Sequence, residues 1–134
     1  MTEPTGKLTE VGPMPLPALN DFPSDQPVVM VDLLKFAEPD GQRSYQRYGA
    51  ALAPLLERVG ASIVYGGSSA AFVIGDEGCP WWDAILLVRY PTPSAFLEMV
   101  TSEEYNEIHV HRAQALEQGE VIATSHWSVT TDQS

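Results

Sequence analysis

The chain has 134 residues, 44% of them hydrophobic, and seven Lys and Arg face 18 Asp and Glu for a formal net charge of −11. That length and composition suit one domain with a real core and exclude wholesale disorder. The acidic balance argues against nucleic acid or an anionic membrane surface as partner.

Six of the 11 prolines precede Val28. Proline removes backbone donors and fixes φ, so residues 1–27 read as an arm without a regular helix or central strand. The spaced apolar residues Val11, Met14, Leu16, Leu19 and Phe22 suggest that part of the arm docks on a surface; a disordered leader is the alternative. Met1 to Glu10 lacks the basic and apolar regions of a signal peptide. Val28 to Phe36 is an apolar, β-branched strand, and Glu38 to Gly41 is a turn. From Ser44 to Val59 the residues Tyr45, Tyr48, Leu52, Leu55, Leu56 and Val59 form one apolar helix face, with Gly60 as its stop. Pro54 should bend this helix or cost it a hydrogen bond. Ala61 to Tyr65 and Ala70 to Ile74 read as one strand broken by a bulge at Gly66-Gly67, with a turn from Gly75 to Pro80. Trp82 to Tyr90 is the clearest strand. Pro91-Thr92-Pro93 ends it, and Ser94 to Val100 is a short helix. Ser102 caps a further helix, with Glu103 and Glu104 where the dipole favours acids, running to about Gln118 with Gly119 as its stop. Val121 to Trp127 is the last strand, and 128–134 is a polar tail.

The order strand, helix, strand, strand, helix, strand over residues 28–127 predicts an α+β domain. The pattern is the ferredoxin-like βαββαβ: a four-stranded antiparallel sheet with both helices on one face. In the third strand Trp82, Ala84, Leu86, Val88 and Tyr90 suit the helix side, leaving Asp83, Ile85, Leu87 and Arg89 opposite. In the first strand Val29, Val31 and Leu33 are expected on the helix side, with Lys35 snorkelling, and Met30, Asp32, Leu34 and Phe36 on the bare face. A bare face this apolar predicts a homodimer, isologous and packed sheet to sheet, with a cavity between the sheets.

The segments Asp32 to Phe36, Tyr45 with Tyr48, Pro54-Leu55-Leu56, Trp82-Asp83, Val88-Arg89-Tyr90-Pro91, Phe96, Met99, Ser102 to Tyr105 and Arg112 together resemble a known family. It is the domain of unknown function 1330, in the dimeric α+β barrel superfamily. The resemblance covers about residues 28–125. It implies the fold and the dimer but no settled activity. The first strand often carries Asn in that family where this chain has Asp32. The wider superfamily includes cofactor-free monooxygenases, isomerase-like enzymes and haem-binding oxidases, which bear on this chain only by analogy of fold.

Asp32 is the first candidate for chemistry, as general base or ligand anchor, because a carboxylate amid an apolar strand is costly unless paired. Arg89 is its expected partner across the sheet, with Asp83 on the same face; a structural salt bridge is the competing reading. Arg112 lies on the stripe Tyr105, Ile108, Arg112, Ala115 and would clamp a carboxylate ligand or staple helix to sheet. His109 and His111 are two apart, which is not a helical metal-binding spacing, so no metal is expected. His109 follows Tyr105 by four and shares its face, as an acid, a base or an axial haem ligand; a solvated or capping histidine is the competing and favoured reading. His126 on the last strand faces the cavity or the solvent. Tyr45, Tyr48, Trp82 and Tyr90 read as core packing, and Trp81 as a rim residue.

The single cysteine, Cys79, has no intrachain partner and no basic sequence neighbour, so a disulfide framework and a thiolate nucleophile are both disfavoured. A reducing, cytoplasmic setting fits. No run of about 18 apolar residues offers a membrane span. The glycines lack a phosphate-loop pattern, so no nucleotide is expected. The expected function is binding of a small, partly apolar, anionic ligand at a sheet-face cavity, either between the sheets or between sheet and helices, with or without cofactor-independent catalysis. Here Asp32 handles a proton, and Arg89, Asp83, Arg112 and His109 bind. The alternatives are a structural or interaction module whose dimer and arm are its function and, further off, a cofactor-free monooxygenase or isomerase.

Overall fold

The computed structural model describes residues 16–75 and 80–130. Val11, Met14, the turn residues around Cys79 and the last four positions therefore lie outside the described residues. A single 3-10 turn, Leu16–Asp21, precedes the domain and seats Leu19 in the core beside Phe22. This part of the arm is docked.

The elements follow as β1 Val28–Phe36, α1 Gly41–Arg58, β2 Ser62–Ser68, β3 Ala84–Tyr90, α2 Pro93–Val100, α3 Glu103–Ala115 and β4 Leu116–Thr124. The sheet order is β2-β3-β1-β4 and all pairs are antiparallel. This is the ferredoxin-like α+β arrangement, with the second helical segment split into α2 and α3. Thr92 and Ser102 cap the two halves: their hydroxyls accept from the backbone N–H of Ala95 at 3.3 Å and of Tyr105 at 3.1 Å. Pro93 supplies a preset φ at the start of α2. α1 buries Tyr48, Leu52, Leu55 and Leu56, the expected face, and continues through Pro54, which is exposed.

Three expectations are corrected. The first concerns the faces of β1. Burial alternates so that Val28, Met30, Asp32 and Leu34 turn toward the helices, while Val29, Val31 and Leu33 lie on the other side. Register agrees: Val28, Met30, Asp32 and Leu34 sit opposite Tyr90, Val88, Leu86 and Ala84. Both sets of β1 are apolar with one charge each, Lys35 or Asp32, so alternation alone does not say which set faces the core. The helices carry the polar groups that receive Asp32.

The second correction is where α3 ends. Leu116 is already extended at φ −117° and ψ 136°, and it pairs with Phe36 while burying its side chain. Gly119 is therefore a strand residue, not a helix stop. A side chain there would meet Leu116 Cδ1 at 2.9 Å and Arg112 Nη2 at 3.2 Å, so glycine is what lets the arginine cross β4. The strand stops at Thr124, and His126 and Trp127 lie beyond it, exposed.

The third correction is that residues 70–74 form no strand. β2 ends with Ser68 opposite Ala84, where β3 begins, so no ladder is left to join. Val73 and Ile74 stand almost fully exposed.

Candidate functional site

A cavity of about 70 Å³ opens between the helix side of the sheet and helices α1, α2 and α3. Of the two expected places, between sheets or between sheet and helices, the cavity takes the second, and Asp32 reaches it because β1 is turned over relative to the expected face. Met30, Leu86, Val88 and Phe96 make much of its wall apolar, and Asp32, Tyr45, Tyr48, Tyr105, His109 and Arg112 supply its polar groups.

Asp32 enters from the middle of β1, flanked by Leu86 on β3 and Val121 on β4. It is 9% exposed, and its Oδ1 has no hydrogen-bond partner among the described residues. Burial pushes its carboxyl up to about 7, although Arg112 pulls the other way. It is thus poised between acid and carboxylate near neutral pH. Arg112 is half-buried and comes from the last turn of α3. Among the described residues the ion pair within 4.0 Å is the surface contact Arg58–Glu104 at 3.4 Å, so Arg112 influences Asp32 without bonding it. Its guanidinium stays charged at any ordinary pH.

His109 sits one turn before Arg112 and one turn after Tyr105, 7% exposed. Its Nδ1 lies 3.1 Å from the Asn106 carbonyl oxygen. A carbonyl only accepts, so in the neutral ring the proton is on Nδ1 and Nε2 carries the lone pair. Nε2 is buried without a partner among the described residues. The hydroxyls of Tyr48 and Tyr105 share a hydrogen bond of 2.9 Å, joining α1 to α3 across the cavity wall. Burial, reinforced by Asp32, drives Tyr45 and Tyr90 far above the ordinary phenol range; burial also pushes Tyr48 well above it and raises Tyr105. All four remain neutral hydroxyls.

Of the residues singled out from the sequence, Asp32, His109 and Arg112 meet in this cavity. Arg89 and Asp83 do not join them. Arg89 pairs with Val29 on the opposite face and is exposed. Asp83 ties strand ends together: its backbone N–H donates to Leu34 O at 2.6 Å, and its Oδ2 accepts from the Phe36 N–H at 2.9 Å. His111 is exposed, and no cluster of metal-binding side chains occurs among the described residues. The tyrosines expected as core packing do pack, and they also wall the site. Their i, i+3 spacing on α1 with the i, i+4 spacing of Tyr105 and His109 on α3 was the available signal.

The family model described as domain of unknown function (DUF1330) matches residues 34–125. A protein of unknown function from Rhodopseudomonas palustris is similar at 26% identity and a TM-score of 0.75, over 90% of this chain and 98% of its own. A hydroxynitrile lyase from Passiflora edulis shares the fold at 13% identity and a TM-score of 0.59, over 79% and 98% of the two chains. So does a dimeric ferredoxin-like protein of unknown function from Thermobifida fusca, at 10% identity and a TM-score of 0.52, over 75% and 91%. No curated protein matches the sequence. No helix among the described residues is long and apolar enough to cross a membrane.

Proposed function

The chain belongs to the DUF1330 family, and we propose that it binds a small, partly apolar, anionic ligand in the cavity between sheet and helices. The observation that carries this reading is a pair of buried polar atoms, Asp32 Oδ1 and His109 Nε2, left without partners in one cavity wall beside a cation. Burying unsatisfied polar groups costs free energy, and a ligand that pairs with them offsets that cost. Arg112 attracts the anionic end, and the apolar wall receives the rest. Asp32, titrating near neutrality, is the group that gives or takes a proton at the bound ligand.

The protein acts as a homodimer joined through the bare sheet face. Val29, Val31, Leu33, Ile85, Leu87 and Ile122 line that face, a wide apolar surface with few charges. The neighbour from Thermobifida fusca is described as dimeric, which supports association of this fold in pairs.

Two measurements test the two halves. Small carboxylates should raise the melting temperature of the wild-type protein and fail to do so for Arg112→Gln. No shift with any carboxylate in the wild type would remove the ligand reading. Leu87→Asp should sediment as a folded monomer where the wild type sediments as a dimer, and a monomeric wild type would remove the dimer.

A further inference from the structure

Resting on that ligand reading, we infer that the ligand is a small hydroxy acid: its carboxylate meets Arg112 and its hydroxyl donates to His109 Nε2. The inference comes from an inventory of what the cavity wall offers and what it lacks. The Asn106 carbonyl holds the ring proton on Nδ1, so Nε2 can only accept while the imidazole is neutral. Nothing among the described residues donates to it. The hydroxyls of Tyr48 and Tyr105 share one hydrogen bond with each other, and neither reaches His109. Asp32 Oδ1 is likewise without a partner among the described residues, so the aspartate and the histidine do not satisfy one another either. The wall therefore presents one fixed acceptor in want of a donor, His109 Nε2, alongside a fixed cation. A plain carboxylate satisfies the arginine and leaves His109 orphaned. A hydroxyl on the same small skeleton satisfies both.

Polarity narrows the class further. Most of the cavity lining is hydrocarbon, which suits a short-chain hydroxy acid better than a polyol. The selectivity device is the backbone hydrogen bond that sets the tautomer of His109. It converts an ambiguous imidazole into an acceptor aimed at one ligand group.

The test compares lactate, propionate and 2-methoxypropionate against the full-length protein by isothermal titration calorimetry at one pH. These three share a carboxylate; the hydroxyl donor is present only in lactate. Lactate should bind roughly tenfold tighter than either of the others, because the two analogues leave Nε2 unpaired. In His109→Phe that preference should vanish while propionate affinity holds. Equal or weaker binding of lactate in the wild type overturns the hydroxyl inference and leaves the carboxylate pocket standing. No binding of any of the three overturns both. A lactate preference that persists in His109→Phe overturns the role of His109. The wild-type comparison stands on its own if that variant does not fold.

Discussion

The two faces of the sheet are built from the same strands and have opposite characters. The face under the helices is tightly buried, with Val28, Met30, Leu34, Val88 and Tyr90 all at or below 3% exposure, yet it contains the buried charge-bearing group, Asp32. The bare face is partly open and apolar through β1 and β3 at Val29, Val31, Leu33, Ile85 and Leu87, with Lys35, Arg89, Gln118, Glu120 and Thr124 around them. Polarity is thus concentrated where water is least available. A carboxylate in the covered face is an expense that solvent does not reduce, so its neighbours must: Arg112, the tyrosine cluster and the room left by Gly119. The apolar open face carries no such constellation and suits association instead. The cavity and the bare face are back to back, separated by the thickness of one sheet.

The largest expected effect comes from neutralising the covered face. The Asp32 carboxyl is raised from 3.8 to about 7 on folding. Below about pH 4 both folded and unfolded chains hold the proton, and there is no penalty. As pH rises toward about 7 the unfolded chain releases it first, so stability falls, and above 7 the loss is complete. Asp32→Asn escapes this. Its stability advantage should grow from near zero at about pH 4 to roughly 4 kcal/mol at most above pH 7. Urea denaturation across that range checks it; an advantage independent of pH would break the contrast between the faces.

A smaller effect follows from packing. Met30→Ala, on the covered face, should cost about 3 kcal/mol in the same assay. Leu33→Thr, facing the other way, should cost the dissociated chain under about 1 kcal/mol. Similar losses at both positions would mean that the faces are not distinct. The mildest change is Gly119→Ala. A methyl there meets only the movable ends of Leu116 and Arg112, so the fold should lose about 1 kcal/mol. The guanidinium, however, must shift. The Asp32 titration should then move further upward, because Arg112 is what holds it down. An unchanged titration would show that Gly119 does not place the arginine.

Much of the fold was legible from period and punctuation. α1, its apolar face, the Ser102 cap and the strand order all follow from spacings that local physics dictates. The site was legible in its residues and not in its place. Asp32, His109 and Arg112 stand out as polar groups on apolar stripes. But β1 is apolar on both faces, and alternation alone cannot say which is up when either set could fill a core. Taking Val29, Val31 and Leu33 for the core turned the strand over and offered Arg89 as the partner. The second helix and its strand were misdivided for a related reason. Gly119 has the marks of a helix stop, and only the close passage of Arg112 shows why a strand needs glycine there. Asp83 looked like a site residue because its service to backbone N–H groups depends on tertiary neighbours far away in the chain.

The central claim is that Asp32 is a buried carboxyl facing a cavity under the helices, poised near neutrality. Carbon-13 NMR of the aspartate side-chain carboxyls, titrated across pH and assigned with Asp32→Asn, measures it directly. One resonance should titrate at about 7 and disappear in the variant. A resonance for Asp32 that titrates near the ordinary 3.8 would place its carboxyl in water and contradict the account.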